Sequence, residues 1–156
     1  MINTVKIQGN GYLVNNEMSV PNEPSNRHYQ EVQEWLKTNT AEPEFTLAEL
    51  QIQKVQEIKT QYELNNELDI AYLNTTFQAD KASQDLIVSV LSAGSVPTGF
   101  FWLDKANNQV AMTYAELQGL SGAILTRNQT NFIKFQGLKS QVKLAKTQAD
   151  LDLIVW

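Results

Sequence analysis

Thr113-Tyr114-Ala115-Glu116-Leu117-Gln118-Gly119-Leu120-Ser121-Gly122-Ala123-Ile124 opens the strongest periodic run in the chain. Thr113 and Glu116 stand at capping-box spacing, where a hydroxyl accepts from the N–H three residues on and the carboxylate reaches back to the cap. Leu117, Leu120, Ile124, Phe132, Phe135, Leu138, Val142 and Ala145 then recur on one side. At ~1.5 Å rise per residue that pattern predicts a rod of about 45 Å over 114–145. Gly119, Gly122 and Gly137 lie inside it; each costs up to ~1 kcal/mol against Ala, so close helix approach or a kink is expected there.

Moving toward the N-terminus, Gly99–Asp104 and Gln109–Thr113 are β-prone runs joined by Lys105-Ala106-Asn107-Asn108, which reads as a β-hairpin over 100–113. Asp80 suits the N-cap of a helix over 80–93, with Leu86, Ile87, Val90 and Leu91 as its apolar set and Gly94 just past its end. Thr46 and Glu49 form another capping box, and Leu47, Leu50, Val55, Ile58 and Tyr62 predict a helix over 46–72. Tyr29, Val32, Trp35 and Leu36 predict a shorter one over 26–37, closed by Thr38-Asn39-Thr40. Downstream, Thr147 to Asp150 caps a short C-terminal helix carrying Leu151 and Ile154, followed by Trp156. The fold class is α+β, mostly helical, with the long helix packed against the 46–72 helix.

Residues 1–25 differ in kind. Val5-Lys6-Ile7-Gln8 and Tyr12-Leu13-Val14 flank Gly9-Asn10-Gly11 as a short N-terminal β-hairpin, and Pro21 and Pro24 then deny helix. Two short strands are marginal alone. The expectation is therefore an extended docking segment, 1–25, attached to a helical domain, 26–156, and completing itself on a neighbour by strand addition. The side chains expected to meet a partner are Val5, Ile7, Tyr12, Leu13, Val14, Val20, Pro21, Asn22, Pro24, Tyr29 and Trp35.

Composition restricts the chemistry. With no cysteine and one histidine, thiolate catalysis, cysteine-ligated zinc and multi-histidine metal sites are excluded within one chain of 156 residues. Seventeen acidic against twelve basic residues give a net charge of -5, which disfavours a nucleic-acid partner. Amides dominate the polar set, with 15 Gln and 14 Asn, which reads first as a surface solvated by neutral polar groups, with a contact surface that avoids charge desolvation as the sharper alternative. No apolar run reaches the ~20 residues of a membrane span, and Met1–Lys6 lacks a signal-peptide pattern, so neither membrane insertion nor secretion is expected. His28, with Glu31 and Glu34 at helical spacing, reads as a helix N-terminal residue among solvated glutamates rather than a general base. Phe100 and Trp102 share one face of their hairpin and read as core rather than as a sugar platform; Asp80, Asp85, Asp150 and Asp152 read as helix caps and first-turn acids. No enzyme activity, cofactor, metal or small-molecule substrate is expected.

Ser19-Val20-Pro21-Asn22-Glu23-Pro24-Ser25-Asn26-Arg27-His28-Tyr29-Gln30 through Trp35-Leu36 resembles a signature, V-P-N-D-P-x-N-R-x-Y-Q followed by Trp, found near the N-terminus of small tail proteins of tailed bacteriophages and prophages. Residues 101–113, Leu138-Lys139 and 151–156 look like the companion domain of unknown function in those proteins. Glu23 stands where Asp is commoner, and Thr38-Asn39-Thr40 departs from the usual Gly-Asn. The resemblance implies a non-enzymatic virion component of the tail, made in the host cytoplasm. It would belong to the baseplate or the tail-fibre attachment, bind fibre or baseplate subunits and be multimeric in the assembly. The alternative it implies is a fibre-assembly chaperone that is not retained. A glycan-contacting module using Tyr12, Trp35 or Trp102 is a further possibility from the residues alone.

Overall fold

A computed structural model describes residues 1–156. The chain divides into two compact units, Met1–Leu50 and Gln51–Trp156. The boundary lies at Leu50 and not at residue 25, because the N-terminal strands share a core with the first helix.

In the first unit, β1 (Val5–Gln8), β2 (Gly11–Val14) and β3 (Met18–Pro21) form one antiparallel sheet in the order β1-β2-β3, followed by α1 (Arg27–Leu36). The expected hairpin is thus a three-stranded sheet. Its second turn is made by Asn15 and Asn16 at φ 52 and 61, left-handed values that Asn tolerates better than most residues. The register pairs Val5 with Val14, Val14 with Met18, and Tyr12 with both Ile7 and Val20. With a side-chain period of two, one face therefore carries Val5, Ile7, Tyr12, Val14, Met18 and Val20, and the other carries Lys6, Gln8, Leu13, Ser19 and Pro21. Val5, Val14 and Val20 are buried in one cluster with Val32 of α1, and Tyr12, Tyr29, Trp35 and Leu36 pack around them.

The second unit contains most of α2 (Leu47–Asn66), then β4 (Ile70–Tyr72), β5 (Thr75–Phe77), α3 (Lys81–Ser92), β6 (Phe101–Leu103), β7 (Gln109–Ala111), α4 (Tyr114–Leu144) and α5 (Gln148–Asp152). The helix expected to reach residue 72 stops at Asn66, and a β4–β5 hairpin follows, turning at Leu73 and Asn74 with φ 48 and 60. The carbonyls freed at the end of α2 are satisfied from outside it. Asn66 O accepts from Gln84 Nε2 at 2.7 Å and from the Arg127 guanidinium, which also donates to Leu68 O. A cation at a helix C-terminus also suits the macrodipole.

Phe77, Ile87, Met112, Leu117, Leu120 and Ile124 form the main core, with Tyr72, Phe100, Trp102 and Val110 packed on it. The β6–β7 register sets Trp102 against Val110 and Phe101 against Ala111, so Trp102 faces inward while Phe101 stands 44% exposed. α4 starts on the expected cap: Glu116 N donates to Thr113 Oγ1 at 3.2 Å, and Thr113 N donates to the Glu116 carboxylate at 2.7 Å. α2 runs antiparallel to α4, joined through Gln51 to Val142 O, a Tyr62–Phe135 stack at 4.9 Å, and Asn131 to Asn66. The α4 glycines divide. A Cβ on Gly119 would lie 1.8 Å from Tyr72 Oη, so a β4 side chain rather than another helix makes the close approach. Gly122 and Gly137 have nothing within 4 Å of a Cβ, so the close approach expected at them does not occur, and helical hydrogen bonding runs on through both.

Candidate functional site: the turn end of the N-terminal sheet

The β1–β2 turn depends on glycine at two points. Gly9 sits at φ +52, and a Cβ on Gly11 would lie 2.3 Å from Val20 O, so only glycine lets β2 and β3 pair at this end. Two grooves flank the turn, of about 510 and 380 Å³, and share Asn10, Gly11, Tyr12 and Asn22. Gln8 and Ser19 to Glu23 line the larger; Ile7, Leu36 and Ala41 line the smaller. Glu23 is the single charged residue in either lining.

The structure thus gathers Ile7, Tyr12, Val20, Pro21 and Asn22 of the sequence-derived partner set at one end of the sheet. Val5 and Val14, 1% and 2% exposed, are interior residues, and Val20, though it borders the larger groove, is 2% exposed. Their place is fixed by the third strand and by α1, which cover the face that a two-stranded hairpin would have left open. Tyr29 and Trp35 pack half-buried on the same core, with the Tyr29 ring 6.3 Å from that of Tyr12. Leu13 is half-buried on the opposite sheet face, and Pro24 is exposed in the turn to α1. Leu36, Thr40 and Ala41 also line the smaller groove and were not picked out from sequence; they lie 15 to 20 residues beyond the last strand, and only the fold brings them there.

Much of the outward backbone of this segment is also paired internally. Ile7 N donates to Glu42 O and Glu42 N to Val5 O, both at 2.8 Å, which occupies the outer edge of β1. On the β3 edge Pro21 has no N–H, and its carbonyl accepts from Glu23 N at 2.9 Å. Asn15 Oδ1 accepts from Asn3 N and Thr4 N. The strand-addition rationale is therefore corrected: the edges are blunted by a crossing residue and a proline, two of the devices that disfavour edge pairing. What this end presents is side chains around two grooves in which Glu23 is the one charged residue.

The Pro-Asn-x-Pro-x-Asn-Arg stretch separates into two roles. Asn26 caps α1, its side chain accepting from His28 N at 2.8 Å and Tyr29 N at 3.2 Å. Gln30 Nε2 donates to Pro24 O, and Arg27 pairs with Glu31 at 2.9 Å. These residues hold the β3–α1 turn, leaving Pro21, Asn22 and Glu23 on the groove.

Elsewhere the ionisable groups sit in structural settings. His28 Nδ1 lies 3.1 Å from Glu31, and both are solvent-exposed; the Glu31 carboxyl is held below its ordinary range first by Arg27 and then by His28. Asp80 caps α3 through Ser83 N, Asp150 caps α5 within a box with Thr147, and Asp85 pairs with Lys81. No polar or charged residue is buried, and no group of three or more His, Cys, Asp or Glu is placed to hold a metal.

Residues 48–155 match a protein family described as a domain of unknown function (DUF4376), whose start falls within three residues of the boundary between the two units. No curated protein and no solved structure matches the chain.

Proposed function

We propose that this chain, a member of the DUF4376 family, is a non-enzymatic component of a bacteriophage tail, a reading that rests on the resemblance of residues 19–36 to the tail-protein signature. Its family domain is joined to an N-terminal unit that docks on a baseplate or tail-fibre subunit. The observation that carries the reading is the groove end of the sheet, where Pro21 and Asn22 of the tail-protein-like signature meet Asn10, Gly11 and Tyr12. Asn, Gln and a half-buried Tyr suit a protein interface: they form hydrogen bonds without the desolvation cost of charge, and the aromatic ring supplies contact area.

Mass spectrometry of purified virions tests it. The protein is expected at a fixed stoichiometry with the tail subunits, and Tyr12→Ala combined with Asn22→Ala is expected to deplete it at least tenfold. Its absence from mature particles, together with co-purification with unassembled fibre protein, would replace the permanent component with a departing assembly chaperone.

A further inference from the structure

Asn10 and Asn22 are the two amide side chains that border both grooves at the turn end of the N-terminal sheet, and Gly11 lies on the rim they share. Both residues are exposed. The amides around them are committed to the fold: Gln8 Oε1 accepts from Ser19 Oγ at 3.1 Å, Asn15 Oδ1 accepts from Asn3 N and Thr4 N, Asn26 caps α1, and Gln33 Nε2 donates to the Tyr12 hydroxyl at 3.4 Å. Asn10 and Asn22 make no such bond within the chain. Each therefore presents a free carbonyl acceptor beside a free NH₂ donor, the same two functions that a peptide group carries.

We propose that Asn10 and Asn22 clamp the main chain of an extended segment of the tail partner as it passes from one groove to the other over Gly11. The proposal rests on the docking reading above and specifies what the docked surface is made of. A partner's backbone finds little main chain to pair with here, because Glu42 crosses the edge of β1 and Pro21 removes an N–H from that of β3. Side-chain amides take over that task. Two features select a polypeptide over a sugar or an anion. The aromatic residues that could form a sugar platform are packed: Trp35 on the Val32 cluster, Trp102 on the Phe77 core, and Tyr12 half-buried beside Tyr29 with its hydroxyl taken by Gln33. The one charge on either groove, Glu23, is negative, so a phosphate or nucleic acid meets repulsion and no compensating cation.

Competitive incorporation tests the clamp. A phage lacking its own copy is grown in cells that supply wild type and one variant in equal amounts, and mass spectrometry reads the ratio of the two chains in purified virions and on fibre protein before assembly. Asn10→Leu and Asn22→Leu keep much of the side-chain shape and lose the amide; each is expected at about a tenth of the wild-type level, the worth of one hydrogen bond left unmade. Asn10→Gln and Asn22→Gln keep the amide and are expected to recover most of that loss. Thermal melts of all four are expected to match wild type, since neither asparagine holds the fold together. Glutamine variants as depleted as the leucine ones, or leucine variants at parity while Tyr12→Ala is depleted, overturn the clamp and leave docking standing. Parity for the leucine variants and Tyr12→Ala alike overturns docking as well. Binding of the wild-type chain to immobilised glycans, lost in Asn10→Leu and Asn22→Leu, assigns the amides to a sugar and overturns the polypeptide.

Discussion

Replacing each α4 glycine by alanine, one at a time, separates helix propensity from packing within a single element. In a helix interior the exchange gains up to about 1 kcal/mol from propensity alone. At Gly122 and Gly137 nothing lies within 4 Å of the new methyl, so the gain should appear nearly whole. At Gly119 the methyl would sit 1.8 Å from Tyr72 Oη and 2.7 Å from Cζ, so the ring must leave its place on the Phe77–Leu117–Leu120 core. Overpacking of that kind costs about 1–3 kcal/mol, which cancels or exceeds the propensity gain. Gly119→Ala should therefore be about 2 kcal/mol less stable than Gly122→Ala, a difference of several degrees in Tm for a unit of this size. Urea titration followed by far-UV circular dichroism at low protein concentration reads it directly. Adding Tyr72→Phe removes the closest atom and should recover part of the loss in a double-mutant cycle. Equal stabilisation by all three alanines would show that Tyr72 is not seated on α4, and the packing of β4 against that helix would have to be abandoned.

Other consequences are as direct. Gly11→Ala places a methyl 2.3 Å from Val20 O and should destabilise the N-terminal sheet by about 1–3 kcal/mol, visible as lost amide protection in Gly11–Val14 and Met18–Pro21. Asn26→Ala removes the acceptor for two α1 amides and should cost about 1 kcal/mol by denaturant midpoint. Arg127→Ala frees the carbonyls of Asn66 and Leu68 and should cost roughly 1.5–3 kcal/mol, the range for hydrogen bonds from a charged donor. The Glu116 carboxyl is held below its ordinary range by the Thr113 amide and then by the Thr113 hydroxyl, so its native pKa lies below the unfolded one. Its contribution is complete above the unfolded value of about 4.3 and is lost as pH falls through the native value. Glu116→Gln should flatten the acid limb of the stability profile while lowering stability at neutral pH; an unchanged acid limb would refute the cap as its source.

The elements that could be read from sequence are those whose signals are local. Thr113/Glu116 spacing and the apolar recurrence beyond it delimit α4, and Asn107 at φ 64 confirms the β6–β7 turn expected from its asparagines. The third N-terminal strand was missed because Pro21 reads as a chain breaker, whereas it ends an edge strand, where a missing N–H costs nothing. The overrun of α2 has a similar cause. β4 and β5 span three residues each, too few to show alternation, and their turn places Leu73 at positive φ, which a branched apolar residue does not advertise. Tyr12, Pro21 and Asn22, singled out from turn and signature, line the grooves at the end of the sheet. Val5 and Val14 were misassigned for one physical reason: an apolar strand face looks the same whether its cover comes from another chain or from α1 of its own.

The most direct test of tail docking is a cryo-electron-microscopy map of the intact phage particle at side-chain resolution. Density for this chain is expected in the tail, with Asn10, Tyr12 and Asn22 against a baseplate or fibre subunit and Val5, Val14 and Val20 enclosed by α1. A chain found in the tail with that end of the sheet open to solvent, or a tail lacking the chain altogether, would contradict it.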